Sequence, residues 1–210
     1  MKHISISYST SFINKHSFNF SCRNYYNMKM IATLILVFAI ASSTLAQCPV
    51  PPTVPVSDVA KIAGRWYQIA GPTFSGTENQ PKCVTADFTP KKDGNFNLTM
   101  NATDPDGSKN SGVGLVERTD NQNLLKLHTS PYTTSSSINV YLVDTDFDNY
   151  LAAYICFLDP SQSPVQTGVI LSRANTVDAE KYAELTDLLI NKAGVSTDYF
   201  IATNQKDCQY

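Results

Sequence analysis

No uninterrupted apolar stretch of this 210-residue chain reaches the roughly 18 uncharged residues of a membrane-spanning helix, so no integral membrane association is expected. Proline (11) and glycine (9) are too sparse for a low-complexity chain. Charge is scarce too, at 16% charged residues and a formal net charge of −2. Residues 1–46 hold Lys2, Lys15, Arg23 and Lys29 and no acid, which leaves 12 basic against 18 acidic residues in the remainder. A mildly acidic chain without a basic run lacks the electrostatic footprint of a nucleic-acid binder and the polybasic patch that holds an anionic membrane surface. From residue 47 onward there is one histidine, His128, and no Cys-x-x-Cys. A tetrahedral zinc site is therefore a poor fit, no metal site is expected, and any Ser-His-Asp or Cys-His scheme has a single imidazole to draw on.

What is present first is a secretory pattern. Met30–Ala41 is a short apolar run of about a dozen residues, preceded by Lys29 and followed by Ser42-Ser43-Thr44-Leu45-Ala46-Gln47. Charged start, short apolar segment and small residues at Thr44 and Ala46 predict cleavage after Ala46 and a secreted, extracellular protein. Residues 1–27 precede a second plausible start at Met28 and read as an upstream extension. The expected organisation is 1–46 removed and 47–210 as one domain.

Cysteine usage agrees, because Cys22 falls in the discarded part and leaves Cys48, Cys83, Cys156 and Cys208. An even set in a secreted chain predicts two disulfides, and spacing leaves all three pairings open.

After a proline-rich start, Pro49–Val56, the run Ser57–Ala63 is a short helical candidate stopped by Gly64. Eight strand-like runs follow: Gly64–Ala70, Cys83–Thr89, Asn95–Thr103, Gly112–Arg118, Leu124–Thr129, Ile138–Asp144, Tyr150–Phe157 and Thr167–Arg173. Turn signals such as Lys92-Asp93-Gly94 and Asp104-Pro105-Asp106-Gly107 separate them. Eight short strands at hairpin spacing predict an all-β antiparallel sandwich or closed barrel. One helix is expected from about Thr176, as N-cap, to Lys192, with Tyr182, Leu185, Leu188 and Leu189 on an apolar face against the outside of the sheet and Gly194 as its stop. A ninth strand, Thr197–Ala202, leads to Cys208.

Alternation on the third run is the most informative detail. Phe96, Leu98 and Met100 share one face, and Asn97, Thr99 and Asn101 the other. Asn97-Leu98-Thr99 and Asn101-Ala102-Thr103 are both N-glycosylation sequons, which need solvent. Pattern and chemistry turn the same side outward.

Gly64-Arg65-Trp66-Tyr67 after a short helix, Asp144–Tyr150 before a Tyr/Cys strand, and Ile170-Leu171-Ser172-Arg173 before a single helix resemble the three sequence signatures of the lipocalins. Within them, Cys48-Pro49-Val50-Pro51-Pro52, the lone Cys83 and the C-terminal Cys208 resemble the apolipoprotein D branch and its insect relatives, and the likeness spans essentially all of 48–208. It implies an eight-stranded up-and-down barrel with one C-terminal helix outside, a structural role for Gly64, Trp66 and Arg173, a Trp66–Arg173 pairing, and disulfides Cys48–Cys156 and Cys83–Cys208. Trp66, the only tryptophan, is suited to plugging one end of a barrel, and Arg173 to capping it.

An eight-stranded barrel can hold one small ligand. The expected lining comes from the faces holding Gln68 and Ala70; Val84, Ala86 and Phe88; Phe96, Leu98 and Met100; Leu125 and Leu127; Val140 and Leu142; Leu151 and Ala153; and Thr167, Val169 and Leu171. The function expected is secreted binding and transport of a small hydrophobic molecule: lipid, fatty acid, steroid, retinoid or pigment. No cofactor and no catalytic residue are expected, and a cell-surface receptor stays open as a further partner. Asp144, Asp146 and Asp148 are spaced like a calcium loop, but Asn149 and Ile155 stand where Gly and Glu are needed. His128 alternates with Leu125 and Leu127 onto the outer face, read as a solvated surface position, whereas a haem ligand would have to point inward. Two other classes remain: a barrel filled by its own side chains that binds a protein, and a lipid-isomerising enzyme, which would need an unpaired, activated thiol.

Overall fold

The computed structural model describes residues 48–56, 58–73, 80–129 and 137–210. Residues 1–46, where the upstream extension and signal peptide are expected, lie outside them. Nine antiparallel strands run as β1 Gly64–Pro72, β2 Lys82–Pro90, β3 Phe96–Thr103, β4 Lys109–Arg118, β5 Leu124–His128, β6 Ile138–Thr145, β7 Tyr150–Leu158, β8 Pro164–Ser172 and β9 Phe200–Ala202. Each of β2 to β7 pairs with its successor, and β1 pairs with both β8 and β2. The sheet thus closes into an eight-stranded up-and-down barrel, and β9 adds itself to Ala70–Pro72 of β1. Closure removes the free edges that an open sheet of this size would present.

The alternation read from the sequence sorts into two cores. Inside, Trp66, Ala86, Phe88, Phe96, Leu98, Val116, Leu125, Leu142, Leu151, Ala153 and Leu171 pack with Val59 and Ile62. Outside, Ala70, Tyr141, Val143, Ala152, Tyr154 and Ile170 pack under the one α-helix among the described residues, α1 Ala179–Asp187, whose Leu185 is fully buried. The helix continues as a π turn over Leu188–Lys192 and stops at Gly194, with φ +82°. A Cβ at Gly168 would lie 3.2 Å from Leu189 Cδ1 and Val195 Cγ2, so glycine there lets the helix end settle on β8.

Several boundaries differ from the sequence pattern. The N-cap is Asp178 rather than Thr176: its carboxylate accepts from the Glu180 and Lys181 amides at 2.8 and 3.2 Å, and its charge also suits the positive helix end. The N-terminal candidate is a 3-10 turn, Val59–Ile62, capped by Asp58. β4 and β8 begin three residues early, at Lys109 and Pro164, because the hairpin partners Thr103 and Leu158 extend the ladder that far. β9 starts at Phe200, after a 3-10 turn at Thr197–Tyr199.

Both disulfides bind chain ends to the barrel. Cys48–Cys156 fastens the proline-rich start to β7, and Cys83–Cys208 fastens the tail to β2. These are the pairs that the resemblance implies.

Candidate ligand cavity

One end of the barrel is closed by three segments that are distant in sequence. Trp66 is fully buried and its Nε1 donates to the Ile62 carbonyl at 2.7 Å, which ties the indole to the 3-10 turn. The Arg173 guanidinium lies 3.7 Å from the Trp66 ring centroid. Its nitrogens donate to the carbonyls of Lys61, Arg65 and Phe147 at 2.8, 2.9 and 3.1 Å. Burial lowers the Arg173 pKa from its ordinary value, opposed by Asp148, yet arginine remains charged. Phe147, buried and at φ +63°, fills the bottom from the β6–β7 turn. That turn is organised by Asp146, whose Oδ1 accepts from the amides of Asp148, Asn149 and Tyr150 at 3.1, 2.8 and 3.0 Å. The spaced aspartates therefore build a turn. Gly64, at φ +96°, faces Arg173 with room for no more than a tight Cβ, 3.3 Å from Nη1.

Above this floor lies a cavity of ≈ 280 Å³, partly open to solvent and walled almost entirely by carbon. Of the residues expected in the lining, Gln68, Ala86, Phe88, Leu98, Met100, Leu125, Leu127, Val140, Leu142, Leu151, Ala153, Thr167, Val169 and Leu171 stand in the wall. Three do not. Ala70 belongs to the outer core, because the β1–β8 register slips between Gln68 and Ala70 and the extra residue flips the strand's faces. Val84 is buried but outside the wall, at a second slip between Lys82 and Thr85 where Cys83 takes φ +56°. Phe96 packs in the floor, edge-on to Phe88 with centroids 6.4 Å apart.

The wall also contains Ile62, Pro72, Val116, Thr129, Ile138, Ile155 and Phe157. Most were within reach of the same alternation: Ile138 precedes Val140, and Ile155 and Phe157 continue from Leu151 and Ala153 at intervals of two. Ile62 had no such signal, since it arrives from the 3-10 turn. His128 is absent from the wall, but it is also not the solvated residue expected. It is 3% exposed with Nε2 2.9 Å from Glu117 Oε2, because Glu117 and His128 lie on the same outer face of the β4–β5 ladder.

A closed eight-stranded barrel around an apolar, one-ended hollow defines a small-molecule-binding barrel. The chain matches the profile of the "Lipocalin / cytosolic fatty-acid binding protein family" over residues 63–207 and belongs to that family. It is 26% identical over 184 residues to apolipoprotein D of Mus musculus, covering 86% of this chain and 96% of the relative. Against apolipoprotein D of Oryctolagus cuniculus it is 25% identical over 178 residues, covering 85% and 93%. Among solved structures, insecticyanin from Manduca sexta superposes with a TM-score of 0.58 at 19% identity, covering 78% of this chain and 90% of that one. The cockroach allergen Per a 4 gives 0.60 at 18% identity, covering 78% and 98%. Fold, cavity and family together describe a barrel protein that binds a small hydrophobic ligand.

Proposed function

We propose that the protein is a secreted carrier that takes a small hydrophobic molecule from water, holds it in the barrel and releases it unchanged. The observation that carries this reading is the carbon-walled cavity above the Trp66–Arg173 floor. Apolar area withdrawn from water stabilises a bound guest by roughly 25 cal/mol per Å², without any covalent step. The ligand-binding residues proposed are the cavity-wall residues above. Secretion is supported by the cleavable pattern ending at Ala46, by two disulfides and by the apolipoprotein D relatives. All four cysteines of 47–210 are bonded, so a thiol-dependent isomerase has no nucleophile in that segment.

The test is native mass spectrometry of protein purified from its source, followed by organic extraction. A co-purifying apolar molecule, and saturable binding of an apolar probe after delipidation, is expected. Absence of both would favour a filled barrel that binds a protein partner.

A further inference from the structure

Among the described residues, the cavity wall contains no ionisable side chain. Its only polar side chains are Gln68, Thr129 and Thr167, all neutral. Two of them already serve the fold: Gln68 Nε2 donates to Thr203 Oγ1 at 2.9 Å, and the Thr167 hydroxyl donates to the Tyr199 carbonyl. The Thr167 proton is thereby committed, and its oxygen is left with lone pairs alone. Residues 74–79 and 130–136 include no lysine, arginine or histidine that could add a cation. Arg173, the cation nearest the barrel floor, lies beneath Trp66 with its nitrogens on three carbonyls.

Resting on the carrier reading, we propose that the cavity selects uncharged ligands, hydrocarbon in bulk and bearing at most a hydroxyl group, over carboxylates and amines of the same shape. A carboxylate can only accept hydrogen bonds, and inside this wall it would leave water for carbon with no cation to pair with among the described residues. An alcohol loses far less on entry, because its neutral hydroxyl has no charge to desolvate. An ammonium group meets the same carbon wall, in which the described residues offer no carboxylate.

The experiment compares 1-dodecanol with dodecanoate, chains of equal length, in displacing the neutral fluorophore N-phenyl-1-naphthylamine from the delipidated, disulfide-intact protein at pH 8. The alcohol is expected to displace it at a concentration at least roughly tenfold lower, about 1.4 kcal/mol. The gap should narrow as pH falls toward about 5 and the acid becomes protonated. Met100→Lys places an ammonium at the wall where the side chain is 37% exposed and can stay hydrated. It should strengthen dodecanoate binding at pH 8, while Val113→Lys, on the exposed outer face, should not. Dodecanoate binding as tightly as dodecanol to wild type at pH 8 would overturn the selectivity and leave the carrier reading standing. Failure of the fluorophore and both dodecyl ligands to bind would overturn the carrier reading itself. The wild-type comparison decides even if a variant does not fold.

Discussion

Arg173 and Trp66 form the hub of the closed end: one guanidinium, 3.7 Å from the indole centroid, gathers carbonyls from the 3-10 turn, from β1 and from the β6–β7 turn. Arg173→Ala removes a desolvated cation–π contact and strips three carbonyls of their donor, so a loss of about 2 kcal/mol is expected. Arg173→Lys should recover only part, because an ammonium lacks the planar fork that reaches three acceptors at once. Lys92→Ala, in an exposed turn, is the control. Equal denaturation midpoints for Arg173→Ala and Lys92→Ala would show that the hub does not hold the floor.

The same floor depends on Asp146. Burial raises its pKa, but hydrogen bonds from Asn149, Tyr150 and Asp148 outweigh this and hold it below the ordinary carboxylate value. A depressed folded-state pKa stabilises the fold above the unfolded value of roughly 3.9, and that contribution is lost as pH falls through the folded value. Asp146→Ala should therefore cost about 1 kcal/mol at pH 7, and the difference from wild type should shrink in acid below about pH 4. Urea titrations at pH 7 and pH 3 measure it, and an undiminished difference at pH 3 would assign the effect to something other than ionised Asp146.

Strand alternation made most of the wall legible, because a closed barrel obliges one face of every strand to look inward. Phe96 to Met100 could be read without coordinates. What period-two reasoning could not supply were the two register slips. They set Ala70 outward and take Val84 out of the wall, and nothing in the side chains of β1 or β2 announces an extra residue. His128 was placed on the correct face but in the wrong medium, since facing outward does not determine what covers the face. Thr176 looked like a cap because threonine is an acceptable one, and Asp178, two residues on, is the better acceptor for the amides it meets.

The two sequons on β3 are not equivalent. Asn97 is exposed on the outer face, whereas Asn101 is half-buried in a groove it shares with Lys109, Gln209 and Tyr210 of the tethered tail. Asn97 is expected to carry the glycan at high occupancy and Asn101 at low occupancy in protein made in a secretory host. Glycopeptide mapping checks this, and preferential use of Asn101 would contradict it.

The tail in turn depends on its disulfide. Gln205 Nε2 donates to the Gln68 and Val84 carbonyls, both at 2.8 Å, three residues before Cys208. Opening Cys83–Cys208 by the double change to Ala should cost about 2–4 kcal/mol and raise amide exchange over 203–210, with exchange around Trp66 unchanged. Uniform loss of protection would show that the tail is part of the global fold.

The cavity face is tested by two neighbouring positions on β3. Leu98 is 7% exposed, stands in the wall and lies opposite Phe88 on one side and Gly114 on the other. Gly114 has no side chain to shield it, so a carboxylate at 98 would meet the hollow directly. Leu98→Asp sets a carboxyl among Phe88, Met100 and Ala86, where it must either ionise in carbon or protonate against its ordinary pKa, at a cost of about 3 kcal/mol or more. Thr99 lies one residue on, on the half-buried outer side, paired with Asp87 and Val113. Thr99→Ser is the outward control, since it keeps the Asn97 sequon and adds no charge beside Asp87. Titration of N-phenyl-1-naphthylamine into the delipidated proteins should show saturable binding in wild type and Thr99→Ser. In Leu98→Asp it should be lost at pH 7 and return in part toward pH 5, as the introduced acid is neutralised. Retained binding in Leu98→Asp at pH 7, with the fold intact by circular dichroism, would place the ligand somewhere other than inside the barrel.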